Sequence, residues 1–198
     1  MQKCIENLTK NGFEVVVVES SKEALEYAKK VIFKDAVVGL GGSITVKQIG
    51  LLDYLVDLKD IKLLNQYEKG ISSEENSKRR REGLLADIYI TSTNAITKNG
   101  ELLNADGSGN RVAAQIFGPK KVLLFAGVNK IVDNFEDAIK RINEVAIPKN
   151  IERINKAAKE HGKEGKYNAQ NIANKFSYIN GDDKGRTTIV LIKEELGF

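Results

Sequence analysis

The stretch VVGLGGSITVKQIGLLDYL, Val37 to Leu55, decides the fold. Its first residues, with the preceding Asp35 and Ala36, read as a buried strand. From Ile44 onward the pattern reads as a helix extending to Leu58, with Ile49, Leu52, Leu55 and Val56 on one face. Between strand and helix lie Gly39, Gly41 and Gly42. Glycine gives up the most backbone entropy on ordering, so three of them at one junction need a physical reason. Two readings stand open: a tight turn that only glycine fits, or a close approach of backbone to an anion at the following helix start. Ser43 and Thr45 either cap that helix or donate to a ligand oxygen. The motif is not a Walker loop, since no Gly-Lys-Ser/Thr follows, and Ile44 occupies the last position of a dinucleotide fingerprint.

Working outward, strand and helix patterns alternate. FEVVVVES (Phe13–Ser20) reads as a buried strand, followed by Ser20-x-x-Glu23, a capping box, and a helix with Leu25, Ala28 and Ile32 inward. IKLLN (Ile61–Asn65) is a third strand. Ser72-x-x-Glu75 opens a helix through Leu85, and ADIYITS (Ala86–Ser92) is the next strand. AITKNGELLNADG (Ala95–Gly107) reads as a hairpin turning at Asn99-Gly100 with type I′ geometry, placed over one end of the sheet. SGNRVAAQIFG is a short helix and KKVLLFAG a buried strand. DNFEDAIKRINEVA (Asp133–Ala146) is a helix boxed by Asp133 and Glu136, with Phe135, Ile139, Ile142 and Ala146 buried and Pro148 as its breaker.

This order predicts a Rossmann-like α/β fold, a mostly parallel sheet with helices on both faces, plus the hairpin. The chain of 198 residues reads as a single domain, 1–198. Residues 149–186 form a polar, basic excursion before a terminal strand at 187–192.

Composition narrows the function classes. Cys4 is the only cysteine and His161 the only histidine, so disulfide frameworks and multi-histidine metal sites are excluded within the chain. A Ser-His-Asp triad would have to use His161, which sits in the hydrophilic run KEHGKEGK and reads as a surface residue. No apolar run approaches a membrane span and the first residues lack a secretory signal, so the expectation is cytoplasmic. The net charge of +4 matches the excess of nine Lys/Arg over five Asp/Glu in residues 149–186. The short run Lys78–Arg81 reads as a solvated helix face, and nucleic acid is not an expected partner.

Ligands of open α/β sheets bind beyond the carboxyl ends of the strands. Three segments should converge there: Gly41, Gly42, Ser43 and Thr45; Ser92, Thr93 and Asn94; and NADGSGNR, with Asn104, Asp106, Gly107, Gly109, Asn110 and Arg111. The last is a costly concentration of polar groups unless solvent or ligand satisfies them. Arg111 has the planar fork to clamp a carboxylate or phosphate. Asp106 and Glu101 are the candidate catalytic carboxylates, for proton transfer. The expected ligand is a small anionic metabolite, such as a hydroxy acid, a sugar phosphate or a CoA derivative, with no covalently bound cofactor. Homo-oligomerisation is compatible with the sequence.

GLGGSITVKQIGLLDYL, the segment Leu84–Val132 and AIKRI together resemble the lactate-utilisation (LUD) domain family, formerly a domain of unknown function. The resemblance spans about Phe13 to Pro148. It implies the sheet architecture of ribose-5-phosphate isomerase, glucosamine-6-phosphate deaminase and CoA transferases. It also implies a place in bacterial oxidation of L-lactate to pyruvate, beside partner proteins that bear iron-sulfur clusters. An alternative is a non-catalytic subunit or interaction module of such an iron-sulfur oxidase. This chain has Gln48 where relatives often have an acidic residue. It also lacks the cysteines that relatives often carry before the last strand, so no iron-sulfur site is expected within residues 156–186.

Overall fold

Ten strands, numbered in chain order, form two sheets in the computed structural model, which describes residues 1–160, 162, 164–165 and 167–198. His161 lies outside the described residues. The apolar runs become a six-stranded parallel sheet of β1 (Glu14–Val18), β2 (Val37–Leu40), β3 (Lys62–Leu64), β4 (Ile88–Thr91), β7 (Lys121–Gly127) and β10 (Thr187–Ile192). Their spatial order is β1-β10-β7-β4-β2-β3. The strand nearest the C-terminus therefore returns to the middle of the sheet, where all six of its residues are buried, as suits the continuous apolar run TTIVLI.

One face of this sheet is covered by helices α2 (Ser21–Val31), α3 (Ile44–Gln48) and α4 (Leu51–Asp57). Ala24, Ala28, Leu51 and Leu55 pack there against Val38, Ile90, Phe125 and Val190. The expected single helix over Ile44–Leu58 is broken: Gly50 takes a left-handed φ of 75° and restarts the register. Leu51 turns inward in consequence beside Leu55, which is buried as expected, and Val56, expected on the buried face, is 48% exposed.

The other face carries α1 (Gln2–Lys10), which the sequence reading leaves unassigned, and the second sheet. That sheet joins β5 (Ala95–Thr97), β6 (Leu102–Asp106), β8 (Ile131–Val132) and β9 (Lys175–Ile179) in the order β8-β5-β6-β9. Cys4, Leu8, Ile96 and Leu102 bury against Leu124, Ala126, Ile189 and Leu191. The hairpin thus lies on the face of the main sheet rather than over its end, because Ile96 and Leu102 supply an apolar side that must be covered. Its turn is not type I′. Only Gly100, with φ 84°, takes positive φ in the turn, and the Gly100 N–H bonds to the Thr97 carbonyl. This is a three-residue loop closed by a left-handed glycine.

Helix α7 (Phe135–Arg141) covers the outer face of the second sheet through Ala138. Its cap is Asn134, whose Oδ1 accepts the Asp137 N–H at 2.9 Å, while Asp133 pairs with Lys98. Phe135 is 40% exposed, meeting Tyr178 edge-on. Pro148 does not end the helix. A π-helical turn, Ile142–Ala146, leads into α8 (Ile147–Glu160). The wider turn accommodates a ring that would otherwise crowd the carbonyl four residues earlier. Residues 149–186 are thereby structured in part: they hold most of α8, α9 (Ala169–Ile172) and β9.

Candidate functional site

The carboxyl ends of β2, β4 and β7 open into a cleft of about 900 Å³, at the upper end of the range usual for small-molecule sites. Helix α8 forms its far wall through Ile147, Asn150, Arg153 and Ile154. Gly42 and Ser43 contribute from the β2 junction, Ser92, Thr93 and Asn94 from the end of β4, and Asp106, Gly107, Asn110 and Arg111 from the turn into α6 (Asn110–Ile116). The three segments expected to converge do so.

The glycines divide by role. A Cβ on Gly39 would stand 2.7 Å from the Tyr89 ring, and one on Gly41 would stand 2.5 Å from the Thr91 hydroxyl. Both are small because Tyr89 and Thr91 of the neighbouring β4 stand against them. Of the three glycines at the β2 junction, Gly42 faces the cleft, where a Cβ would meet only the Tyr67 hydroxyl at 3.4 Å. Ser43 caps α3, its Oγ accepting the Val46 N–H at 3.1 Å. Gly109 is the left-handed cap of α6, where a Cβ would meet the Lys175 side chain at 2.7 Å.

Arg111 is not a free clamp. It is 8% exposed, and its guanidinium donates to Asn104 Oδ1 (2.7 Å), Ala105 O (2.7 Å), Asn94 Oδ1 (3.0 Å) and Ser92 O (3.3 Å). Asn104, fully buried, donates to Gln115 Oε1, and Gln115 donates back to Ser92 O. Arg111 therefore fixes the shape of the two loops. The polar groups of NADGSGNR are satisfied by one another and by Arg80, Tyr89, Ser92, Asn94 and Gln115, which is the condition for burying them. Asp106 Oδ2 accepts the Arg111 backbone N–H at 3.1 Å, and its carboxylate faces the cleft.

Glu101 stands apart. It lies at the hairpin turn, where one oxygen accepts from Thr97 Oγ1 at 2.6 Å and the other from Tyr178 Oη at 2.7 Å. The strand β6 separates it from Asp106, so the two carboxylates do not share a site.

Thr45 leads to a residue that the sequence reading missed. Its hydroxyl accepts from Lys130 Nζ at 3.0 Å and donates to the Leu196 carbonyl at 3.3 Å. Lys130, just past β7, is 2% exposed and lies at the cleft floor. Nζ also contacts Ser92 Oγ at 2.8 Å and Thr93 O at 3.0 Å. Burial, with Arg141 and Arg111 nearby, holds its pKa well below the usual lysine range. The available signal was a lone lysine inside the apolar run FAGVNKIV. Gln48 takes a backbone role, its Oε1 accepting the Gly197 N–H at 2.6 Å.

Four further cations line the cleft: Lys47, Arg80, Arg153 and Lys156. Arg80, part of the run read as solvated, donates to Ser108 Oγ at 2.8 Å, while its buried Nε has no partner. Arg153 bonds to Asn150. Among the described residues none of these four, nor Lys130, forms an ion pair, whereas Arg79, Lys120 and Arg186 each do elsewhere. The cations outnumber the carboxylate side chains of the lining, Asp53, Asp106 and Glu160, so the cleft carries an excess of positive charge.

An iron-sulfur cluster does not fit these residues. Clusters need several thiolates, and Cys4 is on the buried face of α1 with its thiol directed at the Thr97 carbonyl; burial pushes that thiol up to about 11. Among the described residues no group of three or more His, Cys, Asp or Glu side chains is arranged to hold a metal ion, and no helix is long and apolar enough to cross a membrane.

Comparison with known proteins adds the family. In a search of solved structures, a crystal structure of a DUF162 family protein from Deinococcus radiodurans matches with TM-score 0.54 at 13% identity, over 96% of this chain and 94% of that one. That likeness shows the fold. Chaetomium thermophilum eIF2B beta matches in part, with TM-score 0.37 at 19% identity over 60% of this chain and 41% of that one. No match was found among curated proteins. A family model described as the LUD domain matches residues 1–192. The chain belongs to the LUD domain family.

Proposed function

We propose that the cleft binds a small organic anion and that the chain serves lactate utilisation, as a component of L-lactate oxidation to pyruvate. One observation carries the reading: among the described residues Lys47, Arg80, Arg153 and Lys156 line the cleft without ion-pair partners. Unpaired cations at a concave surface raise the local concentration of anions and strengthen their binding. The Arg80 guanidinium, held at one end by Ser108, presents the planar donor set that matches a carboxylate. Family membership supports the pathway.

Within this reading Asp106 is the carboxylate placed to accept a proton from a bound hydroxy acid, because it faces the cleft beside Arg111. Arg111 keeps Asn94 and Asn104 in position and leaves the anion to Arg80 and Arg153. A thermal-shift series with L-lactate, pyruvate, ribose 5-phosphate and CoA tests this on wild type and Arg80→Ala. Dose-dependent stabilisation of wild type, reduced in the variant, is the expected result. Equal shifts in both proteins would remove the anion from Arg80.

A further inference from the structure

Lys130 is unlike the other cations of the cleft. Its amine touches three oxygens, Thr45 Oγ1, Ser92 Oγ and Thr93 O, all of them neutral. A buried ammonium is costly without a carboxylate, and among the described residues none pairs with it. The charges near it, Arg141 and Arg111, share its sign. The surroundings suit a neutral amine instead. Such an amine donates to Thr93 O and Thr45 Oγ1 and accepts a hydrogen bond from the Ser92 hydroxyl, so every polar atom stays satisfied. Ser92 has a second acceptor, Thr93 O at 3.4 Å, to which it can turn when the lone pair is needed.

We propose that Lys130 is a nucleophilic amine that condenses with a small carbonyl compound bearing an anionic group, an α-oxo acid or a keto phosphate, bound in this cleft. The inference rests on the anion-binding reading, which supplies the charge that draws such a compound in. Desolvation beside other cations is a known route to a reactive lysine. The Nζ lone pair attacks the carbonyl carbon, and the carbonyl π pair moves to oxygen. Both nitrogen protons then leave with that oxygen as water, giving a carbon–nitrogen double bond and no change of oxidation state. Ser92 Oγ, 2.8 Å from Nζ, is placed to relay these protons.

The test uses the wild-type protein with pyruvate or dihydroxyacetone phosphate and sodium cyanoborohydride, followed by peptide mass spectrometry. A saturable reduced adduct at Lys130 is expected, with about tenfold or more label over exposed Lys193, the margin expected of a bound over a random encounter. The compound that reacts identifies oxo acid or keto phosphate as the class. Lys130→Arg, checked for folding by circular dichroism, should lose the adduct. No adduct at Lys130 with either compound, or one no greater than at Lys193, would overturn the inference. Calorimetric titration of the same preparation with the same compounds separates the two readings. Binding without an adduct removes the nucleophile alone, and neither binding nor adduct removes both.

Discussion

Arg111→Ala should destabilise the protein rather than merely weaken a ligand. The guanidinium supplies four hydrogen bonds, at 2.7 to 3.3 Å, to Asn104, Ala105, Asn94 and Ser92. Bonds from a charged donor are each worth roughly 1.5–3 kcal/mol, but the losses do not add. Asn104 Oδ1 keeps the Asn94 N–H, Asn94 Oδ1 keeps the Ala105 N–H, and Ser92 O keeps Gln115. Removing the arginine also relieves the cost of burying its charge. The net loss is about 3 kcal/mol, the lower end for breaking a buried charged network. For a chain of this size that lowers Tm by about 6–12 °C. Arg111→Lys should recover little, because one ammonium cannot span the acceptors of a planar fork. Urea unfolding followed by circular dichroism measures both variants. Stability of Arg111→Ala within about 0.5 kcal/mol of wild type, the range of ordinary surface substitutions, would refute the network role.

Other outcomes follow from the same geometry. Arg80→Ala should leave stability within about 0.5 kcal/mol, since Arg80 has one hydrogen bond to Ser108, while affinity for anions falls; denaturation and calorimetry report the two. Gly41→Ala, whose Cβ would stand 2.5 Å from the Thr91 hydroxyl, should cost about 1–3 kcal/mol as an overpacked substitution. Gly42→Ala, open to the cleft, should cost far less, and equal costs in urea melts would contradict the assigned roles. Lys130 has a native pKa depressed by burial, then by Arg141 and Arg111, so between that value and about 10.4 the unfolded chain holds its proton and the native chain does not. Raising the pH through this window favours the native state. The stability of wild type relative to Lys130→Met should therefore climb by as much as ~1.4 kcal/mol per pH unit, and a flat difference would mean that the lysine is charged in the native protein.

The parallel sheet was legible because its strands are continuous β-branched runs, and the convergence of three loops followed from strand ends in such sheets. Local sequence misled where tertiary packing chose among compatible patterns. Gly50 could sit in a helix at modest cost, and only its left-handed φ, with Leu51 buried and Val56 exposed, shows that it breaks one. Pro148 stops a regular helix but passes through one with a π turn. Arg111 was legible as a site residue and its role was not. A guanidinium ready for a ligand and one saturated by Asn94 and Asn104 look alike until the loops are folded. Arg153 carries no signal of its own, since only the placement of α8 brings it to the cleft.

The proposed anion sits against cleft cations that, among the described residues, have no ion-pair partner. Calorimetric titration of wild type and Arg80→Ala/Arg153→Ala with L-lactate and pyruvate, at low and high salt, tests it most directly. The expected result is saturable binding by wild type that weakens as salt rises and is lost in the double variant while its fold is kept. Binding that is unchanged in the double variant, or no binding of either anion to wild type at low salt, would contradict it.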